Sequence, residues 1–150
     1  MQISHILSPS RTLCGAPGAS KKRVLENVAQ YIAEDEPSLD SGELFEALLN
    51  REKLGSTGLG HGIAIPHCRL KSCERITGCL LKLKQPVDFD AVDGEPVDLL
   101  FTLIVPEEAN DDHLKALGKL AELFNQQTYC EKLRQAQDNN ELYQLAVAND

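Results

Sequence analysis

No stretch of this chain approaches the roughly 18 apolar residues that span a bilayer. The first residues, Met1 to Ser20, lack the apolar core of a secretory leader. Membrane insertion is therefore not expected. Basic residues are also scarce: 15 Lys and Arg stand against 23 Asp and Glu, a net charge of −8. So acidic a chain is a poor general ligand for nucleic acid or anionic membrane, both of which need a basic surface. Regular cysteine spacing is absent too. Cys14, Cys68, Cys73, Cys79 and Cys130 form an odd set. Without a leader they read as free thiols, and a cytoplasmic location is expected. There is no internal repeat, low-complexity block or linker.

What remains is ordinary globular material, 150 residues with 42% hydrophobic and 25% charged. That is one domain, residues 1–150, long enough to bury a core without staples. Thr12-Leu13-Cys14 reads as a short strand. Ser20 caps a helix running to about Glu34, with Val24, Leu25, Val28, Ala29 and Ile32 on its buried face. Asp40 with Glu43 opens a second helix, striped by Leu44, Phe45, Leu48 and Leu49 and stopped by Gly55. Residues 55–62 carry glycine at 55, 58, 60 and 62 and read as a loop. Ile63 to His67 reads as a short extended piece, Ile76 to Leu83 as a strand and Asp93-Gly94 as a turn. Val97 to Val105 is nearly all apolar, as suits a strand covered on both faces. Asn110 or Asp111 is expected to cap a helix striped by Leu114, Leu117, Leu120, Ala121 and Phe124. Thr128 with Glu131 and Asp138 with Glu141 resemble capping boxes that open two short helices. Strands alternating with helices predict an α/β fold, with helices on both sides of the sheet.

His67 has the most suggestive setting of the four histidines. It follows the glycine-dense segment and Pro66, and such a loop can turn backbone N–H groups toward one point as an anion cradle. An imidazole there is placed to attack and hold a phosphoryl group. Its attacking nitrogen must be free and neutral, with the other nitrogen donating to a carbonyl or carboxylate. The residues alone leave a structural histidine near a turn open. His113, in the first turn of a helix, can donate to a phosphoryl oxygen, but its acidic surroundings favour a solvated capping residue. Arg51 can grip a phosphate or be a plain surface charge. Ser56 and Thr57 can bind the same anion or merely turn the loop. His61, His67, Cys68 and Cys73 match no zinc spacing, so no metal is expected. Neighbouring residues on an extended chain face opposite ways, so Cys68 is a poor catalytic partner for His67. His5 reads as surface. The loop lacks the Gly-Lys-Ser/Thr of a P-loop and the order of a dinucleotide fingerprint.

The run from Arg51 to Cys68 (REKLGSTGLGHGIAIPHC) resembles the active-site region of type-2 enzyme IIA components of the phosphoenolpyruvate-dependent phosphotransferase system, the mannitol/fructose family. Glu52 opens the pattern, Leu59-Gly60 continues it, and Ile63-Ala64-Ile65-Pro66-His67-Cys68 closes it. Pro96 to Phe101, Val105-Pro106 and His113-Leu114 extend the likeness over nearly the whole chain. The resemblance implies a mixed, mostly parallel sheet flanked by helices. It implies that His67 is phosphorylated, on Nε2, that His113 helps bind the phosphoryl group, and that Arg51 meets phosphate or partner. The donor would be a histidine phosphocarrier protein, and no cofactor is implied. The Arg-Glu-Lys-Leu-Gly-Ser-Thr-Gly run and the lack of a fused domain resemble the nitrogen-regulatory branch most. That branch implies regulated protein partners, such as potassium-transport or sensor-kinase proteins. A sugar-specific component feeding a permease domain, and a regulator acting without phosphate, are the alternatives. Leu54, Leu59 and Ile63 are the expected apolar docking rim.

Overall fold

The computed structural model describes residues 2–108 and 111–150. A six-stranded mixed sheet forms its centre: β1 (Thr12–Ala16), β2 (Gly58–Gly60), β3 (Ile63–Ala64), β4 (His67–Leu70), β5 (Thr77–Val87) and β6 (Val97–Pro106). The order is β1-β5-β6-β3-β2, with β4 also paired to β6. Three pairs are parallel (β1 with β5, β3 with β6, β4 with β6), and two are antiparallel (β5 with β6, β2 with β3). The helices are α1 (Lys21–Asp35), α2 (Ser41–Leu54), α3 (Asp111–Phe124), α4 (Gln127–Arg134) and α5 (Asn139–Val147).

Strand alternation splits the core into two layers. Leu80, Leu99, Phe101, Leu103 and Val105 face the layer that also holds Leu120, Phe124, Leu133 and Leu142 of α3, α4 and α5. Cys79, Leu81, Leu100 and Ile104 face the other, with the stripes of α1 and α2. This is why Val97 to Val105 has almost no polar face: β6 is buried on both sides. At Gly78 of β5, opposite Leu103 of β6, a Cβ would lie 2.7 Å from the Phe101 ring, so this position needs a bare backbone.

Three caps form as the residues suggest. The Ser20 hydroxyl accepts the Arg23 N–H, Asp40 accepts the Glu43 N–H, and Asp138 accepts the Glu141 N–H. The expected box at Thr128 does not form. The helix begins two residues earlier, its cap Gln126 makes no side-chain bond, and Glu131 takes the Gln127 amide instead. The expected cap Asn110 lies outside the described residues; Asp111 is the first residue of α3. The buried face of α3 is also rotated from the expected one. His113, Ala116, Leu120, Leu123 and Phe124 are buried, while Leu114 is 68% exposed and Ala121 is exposed. A pattern that scores histidine as polar and favours leucine selects the neighbouring stripe, because the two share Leu120 and Phe124.

The glycine-dense segment is not simply a loop. Gly58–Gly60 forms β2, antiparallel to β3, and the reversal between them uses left-handed torsions at Gly60, His61 and Gly62. β4 was not expected as a separate strand; its pairing with β6 runs from His67 opposite Leu103 to Leu70 opposite Pro106.

Candidate functional site

His67 is the first residue of β4, just after Pro66. The Leu103 N–H donates to the Pro66 carbonyl (2.9 Å), fixing this junction to β6. The His67 Nδ1 lies 2.9 Å from the Ile65 carbonyl oxygen. A carbonyl only accepts, so Nδ1 carries the proton, and in the neutral ring Nε2 keeps its lone pair. Nε2 has no hydrogen-bond partner among the described residues, and the side chain is half-buried. Burial pulls the His67 pKa below the ordinary histidine value. The Ile65 carbonyl opposes that shift, the Arg51 charge adds to it, and Glu52 opposes it again. The neutral ring is therefore favoured near pH 7.

His113 arrives from the first turn of α3. Its ring centroid lies 5.7 Å from that of His67, with the planes at 63°. It is not the solvated cap that its acidic neighbours suggest: it is only 8% exposed. Both of its ring nitrogens are buried without a partner among the described residues. Burial lowers its pKa, helped by the charges of Arg69 and His67. A buried imidazole with nothing to bond is costly. Here it faces a second imidazole whose Nε2 is free.

Arg51, in the last turn of α2, donates to the Gly55 carbonyl (2.9 Å) and makes no ion pair among the described residues. Its charge is felt at His67. Ser56 and Thr57 have partners already. The Ser56 hydroxyl donates to the Phe89 carbonyl and accepts the Gly58 N–H; the Thr57 hydroxyl and N–H both donate to Glu52. The His61 N–H goes to Asp93. Three N–H groups of the expected anion cradle, those of Thr57, Gly58 and His61, thus already have side-chain partners. Glu52, noted in the sequence only as the opening of a pattern, proves to be a buried carboxylate, 7% exposed. Its spacing of four from Leu48 and eight from Leu44 was the available signal, since that spacing places it on the buried stripe of α2.

The remaining candidates lie elsewhere. His61 is exposed and borders a cavity of about 490 Å³, lined also by Phe124, Cys130 and Arg134. Cys68 is buried, and burial pushes its thiol pKa up to about 12, which makes it a packing residue. His5 is exposed. No cluster of three or more His, Cys, Asp or Glu side chains suited to a metal occurs among the described residues. No helix among them is long and apolar enough to cross a membrane. Of the expected rim, Leu54 and Leu59 are exposed, but Ile63 is buried beneath the sheet's surface, because its side chain belongs to the layer under α3.

Residues 5–147 match the family model described as "Phosphoenolpyruvate-dependent sugar phosphotransferase system, EIIA 2". The chain belongs to this family. Within the family it is 49% identical over 147 residues to the "Nitrogen regulatory protein" of Pseudomonas aeruginosa, covering 98% of this chain and 96% of that one. It is 43% identical to the protein of that name from Escherichia coli, covering 97% and 89%. The crystal structure of the nitrogen regulatory protein IIA-Ntr from Neisseria meningitidis superposes with a TM-score of 0.89 at 41% identity, covering 96% of this chain and 98% of that one. The type-2 enzyme IIA resemblance read from Arg51 to Cys68, its nitrogen-regulatory flavour and the α/β fold with a mixed, mostly parallel sheet therefore all hold for this chain.

Proposed function

We propose that residues 1–150 act as one cytoplasmic phosphocarrier of the nitrogen-regulatory kind, with His67 as the acceptor. The observation that carries this reading is the Nδ1–H bond to the Ile65 carbonyl, which leaves the Nε2 lone pair free beside His113. Nε2 attacks the phosphorus of a phosphohistidine on a small carrier protein. The new N–P bond forms in line as the donor's N–P bond breaks, and that electron pair returns to the donor imidazole. The proton on His67 Nδ1 stays in place, and its carbonyl partner stabilises the positive charge the ring gains. No cofactor or metal takes part.

Charge spreading over the three equatorial oxygens is met by Arg51 and by a ring nitrogen of His113. Protonated His113 supplies both a donor and a positive charge once the phosphoryl group brings negative charge to its unpartnered nitrogens. Ser56 and Thr57 support the segment and reach phosphate only after exchanging their present partners. The carrier docks on the exposed apolar rim, where Leu54 is 85% and Leu59 49% exposed. Phosphorylation then alters the charge at this rim and so the choice of regulated protein partner, potassium-transport and sensor-kinase proteins being the classes to test.

The test is intact-mass analysis after incubation with phosphoenolpyruvate, the first kinase of the system and the carrier. One acid-labile phosphoryl group on the wild type and none on His67→Ala is expected. Equal labelling of His67→Ala would remove His67 from the mechanism.

A further inference from the structure

The donor proton of His67 sits at the end of a continuous hydrogen-bonded path that starts at a buried carboxylate. Glu52 accepts the Thr57 N–H (3.0 Å) and the Thr57 hydroxyl. The Thr57 carbonyl in turn accepts the Ile65 N–H (3.0 Å), and the Ile65 carbonyl accepts His67 Nδ1–H (2.9 Å). The far side of Glu52 is clamped as well. Lys21 Nζ, at the start of α1, lies 3.2 Å from Glu52, 3.3 Å from the Phe89 carbonyl and 2.9 Å from Asp90. The Ser56 hydroxyl donates to that same Phe89 carbonyl. Helices α1 and α2, the segment after α2 and residues 89–90 thus converge on one carboxylate.

We propose that Glu52 is a positioning residue for phosphoryl transfer: by holding Thr57, and through it Ile65, it keeps the Ile65 carbonyl aimed at His67 Nδ1 and so keeps Nε2 free to attack. Two local features let the path act at a distance. Pro66 restricts the torsions of Ile65, so anchoring the Ile65 N–H also directs its carbonyl. The Pro66 carbonyl is held by the Leu103 N–H, which leaves the segment little room to rotate. If Thr57 is released, the Ile65 carbonyl is free to turn. His67 then loses the one bond that selects its tautomer, and an Nε2–H ring has no lone pair where phosphorus must arrive. A side chain that never touches phosphate thereby sets the reactive form of one that does. The charged and titratable groups around His67 in this arrangement are Arg51 and Glu52 from α2, His113 from α3 and, beyond His113, Arg69 on β4.

The experiment compares wild type, Glu52→Gln, Thr57→Val and Thr57→Ser by two readouts. The first is the His67 tautomer, read from long-range nitrogen–proton couplings in the folded protein. The second is the single-turnover rate of phosphoryl uptake from the carrier at saturating donor. Glu52→Gln and Thr57→Val should raise the Nε2–H tautomer and slow uptake about tenfold at an unchanged apparent affinity for the donor. Thr57→Ser, which keeps the hydroxyl, should match wild type. Should Glu52→Gln fail to fold, Thr57→Val, of nearly the same shape as the native side chain, decides alone. A wild-type tautomer signature in the folded variants overturns the proposal, whether or not melting temperature or rate falls, because it leaves Glu52 a purely structural role. The proposal rests on His67 being the acceptor. The tautomer readout needs no phosphate, so it scores the positioning role even where wild type takes up no phosphoryl group and the acceptor assignment fails.

Discussion

Arg11, ending a short 3-10 turn at Pro9–Arg11, and His113, in the first turn of α3, are both buried polar side chains, yet their surroundings are opposite. Every nitrogen of the Arg11 guanidinium is bonded: Nε donates to the Gly78 carbonyl, Nη2 to the Ile6 carbonyl, and Nη1 to Asp35 and Glu36. His113 has neither ring nitrogen bonded among the described residues. The first arrangement ties the N-terminal segment, α1 and β5 into one piece. The second keeps polar capacity in reserve, next to His67. A satisfied buried group specifies the fold, whereas an unsatisfied one costs stability and is retained where a ligand or a reaction supplies the missing partner.

Removing each group should separate the two roles. Arg11→Met removes the charge-assisted bonds to Asp35 and Glu36, which keep Ser10 and Arg75 as partners, and the bonds to two carbonyls, and should lower the unfolding free energy by about 2–4 kcal/mol in urea titrations. The molecules that remain folded should take up phosphoryl groups at the normal rate. His113→Phe should do the reverse. It removes an unsatisfied polar group, so stability should rise by about 1 kcal/mol, while uptake slows about a hundredfold for want of a donor to the phosphoryl oxygens. A stability loss with normal uptake would make His113 a structural residue like Arg11. Arg51→Ala should fall between them, with uptake about tenfold slower and little change in melting, since its only described bond is to the Gly55 carbonyl.

The pH dependence of stability sharpens the same contrast. His67 and His113 both have folded-state pKa values below the ordinary one, chiefly through burial. Below about pH 6.5 the unfolded chain therefore binds more protons than the folded one. The contribution of these two rings is fully present above that pH and is lost as pH falls through their folded values. Urea titrations from pH 7.5 to 5 should show stability declining toward the acid end, with a shallower decline in His113→Phe. An unchanged slope in that variant would mean that His113 is no harder to protonate when folded. The smallest effect belongs to Cys68→Ala. The thiol is buried and held protonated, so uptake should stay within about twofold of wild type, and the native protein should resist thiol reagents at this position.

Much of this was legible in the residues. Local chemistry marked the caps at Ser20, Asp40 and Asp138, because each involves a side chain and a backbone group three residues apart. The two-sided burial of β6 was legible because a strand with no polar face has no other place to go. His67 stood out by its neighbours, and the long motif from Arg51 to Cys68 gave it a family. The failures share one cause. Thr128 has the right residue three positions on, yet the helix starts elsewhere, since a cap depends on where the chain turns. The buried stripe of α3 lies one step from the leucine-rich one, since two overlapping faces are nearly equally apolar and only packing against the sheet selects between them.

The sequence alone therefore determined most of the elements, the two-layer pattern and the prominence of His67, all of which rest on interactions between residues close along the chain. Tertiary structure decided which nitrogen of His67 is free, that His113 is buried and unpartnered beside it, and that Glu52 reaches Thr57 while Thr57 reaches Ile65 across a strand pairing. Those are relations of direction and distance, and the His67–His113 pair joins segments far apart in the chain. A composition or a spacing carries no record of them, because they are set only when the whole core closes.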